Sequence, residues 1–134
     1  MFNYDIEQVK LDEGFSDKMY LCTAGFNTIG YGYNLDVGMS EEEAELLLIH
    51  RLQMVDIALQ RNIEWYKNAP PELQNILCNC AYQMGVSGLL KFKKALAAME
   101  AKDYEKAAEE LLDSKWSRQT SLRAHRLADR VRGL

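Results

Sequence analysis

The sequence predicts an α+β protein made of a small N-terminal helix-plus-hairpin lobe and a larger all-helical C-terminal lobe, joined by a long helix. Three observations carry this. Residues 13–33 hold a glycine-bearing stretch with strand and turn signals. A near-continuous apolar stripe at helical spacing then runs from about residue 40 to 61. The remainder of the chain, from about residue 70, reads as helices separated by short Gly, Pro and Asp punctuation.

In order along the chain, Phe2, Ile6 and Val9 recur at helical spacing, and Gly14 suits a helix stop in a left-handed conformation. Glu13 therefore sits at a helix C-terminus. The unpaired carbonyls there disfavour a further negative charge, so its carboxyl group is expected to hold its proton more tightly and to suit general-acid work. Residues 18–21 read as a strand, Thr23, Ala24 and Gly25 as a turn, and residues 26–33 as the return strand. Alternation places Asn27, Ile29, Tyr31 and Tyr33 on one face, with Phe26, Thr28, Gly30 and Gly32 on the other. Glycines within a strand mark close approach of a backbone or ligand, and here they clear a surface on which a sugar chain would fit.

Ser40 and Glu43 form a capping-box pair, with Glu41 and Glu42 at the positive end of the helix dipole. Ala44, Leu47, Leu48, Val55, Ala58 and Leu59 continue as the apolar stripe of a helix about 30 Å long at ~1.5 Å per residue. Pro70 and Pro71 open a helix over residues 72–84 with Leu73, Ile76, Leu77, Cys80 and Met84 on its apolar face, and residues 85–88 end it. Residues 89–99, residues 103–113 capped by Asp103, and residues 121–132 capped by Thr120 read as three more helices. No repeat, low-complexity tract or interdomain linker interrupts them. Residues 1–134 are expected to form a single bilobed domain with a cleft between the lobes.

Composition agrees with an ordinary globular chain: 134 residues, 48% hydrophobic and 27% charged, enough for a real core. No apolar run approaches the ~20 residues of a membrane span, and the start has neither a basic nor an apolar leader region. A protein made in a cytoplasm, with no stable membrane insertion, is expected. Three cysteines fit that compartment: the number is odd, and Cys78 and Cys80, two apart on a helix, point in different directions. Net charge is -4, yet residues 114–134 hold six Lys or Arg against Asp129 alone, leaving the rest at about -9. This basic segment would aid adsorption to a polyanion or pair internally with acidic residues. The pI near 5.2 and the sparse aromatic stacking residues beyond Trp116 argue against a dedicated nucleic-acid binder.

Taken singly, the notable residues have ordinary readings. Glu13 is a helix-end carboxylate, Thr28 a strand threonine, Cys22 a small buried hydrophobe, the glycine pair a bulged strand and Tyr82 a core residue. They acquire meaning together. Leu11-Asp12-Glu13-Gly14, then Tyr20, then Thr28-Ile29-Gly30-Tyr31-Gly32 resembles the phage-type lysozymes, glycoside hydrolase family 24. That family's signature is Glu, eight residues, Asp or Cys, five residues, Thr, and Glu13, Cys22 and Thr28 keep the spacing without a gap. The resemblance continues through Tyr82-Gln83-Met84-Gly85, Ser114-Lys115-Trp116, Gln119-Thr120, Arg123 and Arg126. Departures are Cys22 where most members have Asp, Tyr33 where His is common, and a short link over residues 34–40.

The resemblance implies a lysozyme-like fold and hydrolysis of the β-1,4 bond between N-acetylmuramic acid and N-acetylglucosamine in bacterial peptidoglycan. Glu13 is then the general acid, and Cys22 with Thr28 manages the water on the opposite face. Gly30, Gly32, Asn34 and Tyr82 match substrate-binding positions. Arg123 resembles an arginine that pairs with the catalytic Glu, and Gln83 with Trp116 resembles a structural hydrogen-bond pair. No metal or organic cofactor is implied. The expected protein is a monomer that acts on peptidoglycan in the periplasm or wall, with a separate holin if it serves host lysis. A catalytically idle module that binds peptidoglycan or a partner protein is the alternative, because the family Asp is replaced by Cys22.

Overall fold

A computed structural model describes residues 3–134, so Phe2 lies outside the described residues. The chain divides into two compact units, Met1–Leu46 and Leu47–Leu134. The first holds helix α1 (Ile6–Glu13) and a three-stranded antiparallel sheet in the order β1 (Ser16–Leu21), β2 (Asn27–Gly30), β3 (Tyr33–Asn34). Asp5 caps α1 by accepting from the Gln8 amide at 3.1 Å. Gly14 ends it at φ 70°, donating its N–H to the Lys10 carbonyl.

The expected return strand over residues 26–33 is broken. Gly30 and Gly32 take φ of 67° and 70°, which turns the chain at Tyr31 and divides the strand into β2 and β3. Alternation across one long strand therefore stops at Gly30. The register instead pairs Tyr20 with Thr28 and Thr28 with Asn34, so these three residues form one cross-strand row. The first strand also begins earlier than expected, at Ser16, through an irregular register between Ser16 and Tyr20.

Helix α2 (Glu41–Asn62) begins in the first unit and continues into the second. Its capping box is reciprocal: the Ser40 hydroxyl accepts from the Glu43 amide at 3.1 Å, and Glu43 accepts from the Ser40 amide at 2.9 Å. Only the C-terminal part of its apolar stripe is buried, culminating in Leu59, whereas Leu47 and Leu48 remain exposed.

The second unit adds α3 (Pro71–Met84), α4 (Val86–Leu90), α5 (Lys93–Glu100), α6 (Tyr104–Leu112), α7 (Lys115–Gln119) and α8 (Ser121–Arg132). Its core joins Leu59, Tyr66, Ile76, Leu77, Leu111 and Val131, all with at most 1% exposure. Where α6 meets α8, Ala107, Ala108, Ala124 and Ala128 are fully buried. Side chains that small let the two backbones approach closely, which fixes α8 against the core.

The helical unit differs from the sequence reading in four places. Gly85, at φ 84°, ends α3, but the chain immediately starts α4 at Val86 instead of continuing as loop. The expected helix over residues 89–99 is interrupted at Lys91 and Phe92 and becomes α4 and α5. Ser114 caps the additional helix α7, accepting from the Ser117 amide at 3.0 Å. Thr120 stands at the N-cap of α8 without a side-chain capping bond, and its hydroxyl donates to the Trp116 carbonyl at 3.0 Å.

Candidate functional site

The site in the first unit is built where α1 ends. Phe15, just past the helix, packs on Tyr31 with ring centroids 5.3 Å apart, and the Lys10 ammonium lies 5.5 Å from the Tyr31 ring. A pair of rings and an exposed cation–π contact are each worth about 0.5–1.5 kcal/mol at most, enough to hold the β2–β3 turn over the helix end. That placement brings Gly32 against Glu13. A methyl group on Gly32 would collide with Glu13 Oε2 and lie 2.7 Å from its carboxyl carbon. The glycine therefore leaves room for the exposed carboxyl side chain itself, whereas nothing stands within 4 Å of the corresponding point on Gly30.

Cys22 stands just past β1 and opens the hairpin turn. Its N–H donates to the Phe26 carbonyl at 3.0 Å, and its own carbonyl accepts from Gly25 N–H at 2.9 Å. The Phe26 amide in turn donates to Cys22 Sγ at 3.4 Å. The first two contacts fold the turn back on itself, and the third puts a backbone N–H on the half-buried sulfur. Its pKa is held below the usual thiol value, first by the Phe26 N–H, then by the Ala24 N–H, the Thr28 hydroxyl and the Gly25 N–H, against an opposing contribution from partial desolvation. No charged side chain is among these groups.

Thr28 is 4% exposed and gives its hydroxyl hydrogen to the Phe26 carbonyl at 2.9 Å. A hydroxyl has one hydrogen, so it donates either to that carbonyl or to the sulfur, and its lone pairs stay available to a water or to the thiol S–H. Asn34 Oδ1 accepts from the Asp36 amide at 2.9 Å and starts the single turn of 3₁₀ helix Leu35–Val37. Asp36 in turn accepts from both the amide and the side chain of Asn27. Tyr33 donates its hydroxyl to the Gly38 carbonyl, closing the short link.

In the second unit, Tyr82 is 46% exposed, which removes the core reading for it. It lines a cavity of about 670 Å³ together with Leu52, Gln53, Asn75, Asn79 and Arg123. The Arg123 guanidinium donates to Asn79 Oδ1 at 2.7 and 2.9 Å and to the Asn79 carbonyl at 3.0 Å. At the back of the cavity, the Tyr66 hydroxyl donates to Asp56 at 2.5 Å and lies 3.1 Å from Cys78 Sγ. Burial foremost raises the pKa of both Tyr66 and Cys78, and that of Cys80 to about 12. Trp116 Nε1 donates to Gln83 Oε1 at 2.9 Å, while Phe92 meets the same indole edge-on at 6.2 Å. Two arginines of the basic segment are internally paired, Arg130 with Glu72 at 2.7 Å and Arg132 with Glu105 at 3.2 Å.

The Phage lysozyme family model matches residues 10–132. The chain belongs to the phage lysozyme family. Among its relatives, the pre-baseplate central spike protein Gp5 of Enterobacteria phage T4 is 31% identical over 150 residues, covering 90% of this chain. The matched region is 26% of Gp5, so this chain spans about a quarter of that relative's length. A probable T4-type lysozyme 1 of Dictyostelium discoideum is 28% identical, covering 90% of this chain and 89% of the relative. An endolysin of Acyrthosiphon pisum secondary endosymbiont phage 1 is 30% identical, covering 82% and 75% respectively.

In this phage lysozyme family member the structure sets Glu13 beside Gly32, and it places Cys22 and Thr28 on the two backbone groups of Phe26, the sulfur on its N–H and the hydroxyl on its carbonyl. Sequence reasoning missed Asp36 and Asn79, the acceptors that hold Asn27 and Arg123. An Asn-x-Asp run just past a strand was the available signal for Asp36, since Asn and Asp at such positions bond back to nearby backbone. Asn79, mid-helix, offered none. Among the described residues no group of His, Cys, Asp and Glu side chains converges as a metal site, and no helix is long and apolar enough to cross a membrane.

Proposed function

We propose that this chain is a peptidoglycan hydrolase that cleaves the β-1,4 bond between N-acetylmuramic acid and N-acetylglucosamine in the course of host-cell lysis. The observation that carries the reading, beside family membership, is the seat of Glu13: a carboxyl side chain at a helix end, accommodated by a glycine that has no side chain to displace it. Glu13 protonates the leaving glycosidic oxygen while positive charge grows on the sugar ring. Cys22, poised toward thiolate by backbone donors, supplies the negative charge that an Asp supplies elsewhere in the family. Thr28 orients the attacking water; a neutral hydroxyl is too weak a base to activate it alone.

Gly30, Asn34 and Tyr82 contact sugar, and Arg123, held by Asn79, puts a positive charge in the Tyr82 cavity. Residues 1–134 act as one bilobed domain and as a monomer, made in the host cytoplasm and reaching the periplasm or wall through a separate holin. A second reading, an inactive module that grips peptidoglycan or a partner protein, is favoured by the thiol at position 22 alone. Turbidity of outer-membrane-permeabilised Gram-negative cells tests the choice. Clearing by the wild-type protein and none by Glu13→Gln supports hydrolysis. Binding of walls without clearing by the wild type supports the module instead.

A further inference from the structure

The sheet of the first unit is one residue too short to hold its own active hairpin. Strand β3 contributes only Tyr33 and Asn34, which pair with Ile29 and Thr28 on β2. The next ladder position on β2 is Asn27, and its partner would be residue 35. There the chain has already left the sheet for the 3₁₀ turn Leu35–Val37. Asn27 would thus present an unpartnered amide on the side facing away from β1, beside Thr28 and next to Phe26.

The vacancy is filled by a side chain. Asp36 Oδ2 accepts from Asn27 N–H at 3.0 Å, and Oδ1 accepts from Asn27 Nδ2 at 3.0 Å. A carboxylate that accepts two parallel N–H bonds is both stronger and more directional than a neutral acceptor. Asn34 Oδ1 accepts from the Asp36 amide at 2.9 Å, which fixes the backbone that carries the carboxylate. Asn27, Asp36 and Asn34 therefore form a brace beside the start of β2, just past the end of its pairing with β3. The peptide group it steadies joins the Phe26 carbonyl to the Asn27 N–H, and that carbonyl takes both the Cys22 N–H at 3.0 Å and the Thr28 hydroxyl hydrogen at 2.9 Å, while the Phe26 N–H, one peptide group earlier on the same residue, bonds Cys22 Sγ.

We propose that Asp36 is a positioning residue, whose carboxylate stands in for the missing third-strand partner of Asn27 and so fixes the Phe26 carbonyl against the Cys22 backbone and Thr28 and, through the same residue, the Phe26 N–H against Cys22 Sγ. Its consequence for Cys22 follows from the geometry of the hairpin and is independent of catalysis. Its consequence for turnover rests on the hydrolase reading above. The groups that act on the thiol are the N–H groups of Phe26, Ala24 and Gly25 and the Thr28 hydroxyl, with no charged side chain, so loosening Phe26 removes the largest of them.

The test compares the wild type with Asp36→Ala, Asp36→Asn and Asp36→Glu. The rate at which a thiol-alkylating reagent modifies Cys22 is followed by mass spectrometry across pH, and lysis kinetics are measured in parallel. For Asp36→Ala and Asp36→Asn, the alkylation profile should move to higher pH and the rate at neutral pH should fall about threefold or more, because the thiolate fraction drops. Asp36→Glu, which keeps the carboxylate, should recover part of the loss. On walls, kcat should fall while KM stays within about twofold, as expected when positioning and not binding is disturbed. Thermal melts establish which variants fold, and Asp36→Asn, nearly isosteric, carries the test if Asp36→Ala does not. Alkylation profiles superimposable on that of the wild type would overturn the proposal. A shifted profile in a protein whose wild type never clears walls would uphold the brace and reject the hydrolase reading.

Discussion

Replacing Gly32 by Ala separates the chemistry of the site from the stability of the fold. The substitution has two costs. At φ 70° an L side chain is strained by about 1–2 kcal/mol, which should lower the melting temperature by roughly 3–8 °C. The added methyl also lands on the Glu13 carboxyl group, 2.7 Å from its carbon, and ordinary contact begins at 3.4 Å. The atoms it meets are the end of a flexible side chain, so Glu13 moves and the backbone does not. A retreat of about 1 Å relieves the clash, and a misplacement of that size costs on the order of a hundredfold in rate. Gly85→Ala is the matched control, since Gly85 has φ 84° with nothing within 4 Å of the added atom. Both variants should lose similar stability, and Gly32→Ala alone should lose about a hundredfold in lysis rate at a temperature where both are folded. Equal activity of the two variants would refute the claim that Gly32 exists to seat Glu13.

Other expectations arise from the same geometry. Cys22 should be alkylated faster than Cys78 or Cys80, because its pKa is lowered and theirs are raised, with substrate fragments protecting it; Cys22→Asp should stay active and Cys22→Ala should lose most activity in the same lysis assay. Cys80, whose pKa rises from 9.0 to about 12 on folding, contributes stability that is complete below pH 9 and is lost as pH rises toward 12. Denaturant titrations should show that alkaline decline becoming shallower in Cys80→Ala, after allowance for the variant's lower starting stability. Trp116→Phe keeps the aromatic packing but leaves Gln83 without its donor, so chemical denaturation should register a loss of about 1 kcal/mol or somewhat more.

Much of this fold was legible because its signals are local. The Ser40–Glu43 capping box, the Asp103 cap of α6 and the stop at Gly14 depend on residues three or four apart, and each appears in the structure. The breaks were harder to read. Splitting the return strand required both Gly30 and Gly32 to adopt positive φ, whereas sequence alternation alone favoured a continuous strand through Tyr33. The interruption between α4 and α5 at Lys91 and Phe92 has no Gly or Pro to announce it; Phe92 lies instead against Trp116, a contact set by tertiary packing.

Residue choice at the site was legible at one level and not at another. The Glu, Cys and Thr spacing could be found in the chain, but the partners of those residues could not. That Gly32 accommodates Glu13 depends on where the aromatic contact of Phe15 with Tyr31 holds a turn. That Cys22 Sγ receives the Phe26 N–H depends on the hydrogen bonding of a five-residue turn. Asp36 substitutes for an absent strand partner, a role visible only once the register of β2 and β3 is known.

Whether Glu13 donates the proton that breaks a muramyl glycosidic bond is tested most directly by the identity of the new reducing end. Purified peptidoglycan is digested with wild type and with Glu13→Gln, the products are reduced with borohydride, and the reduced sugar is identified. Wild type should yield reduced N-acetylmuramic acid, and a folded Glu13→Gln, which keeps the shape but has no proton to give, at least a hundredfold less. Reduced N-acetylglucosamine as the new end, or undiminished release by Glu13→Gln, would contradict that role.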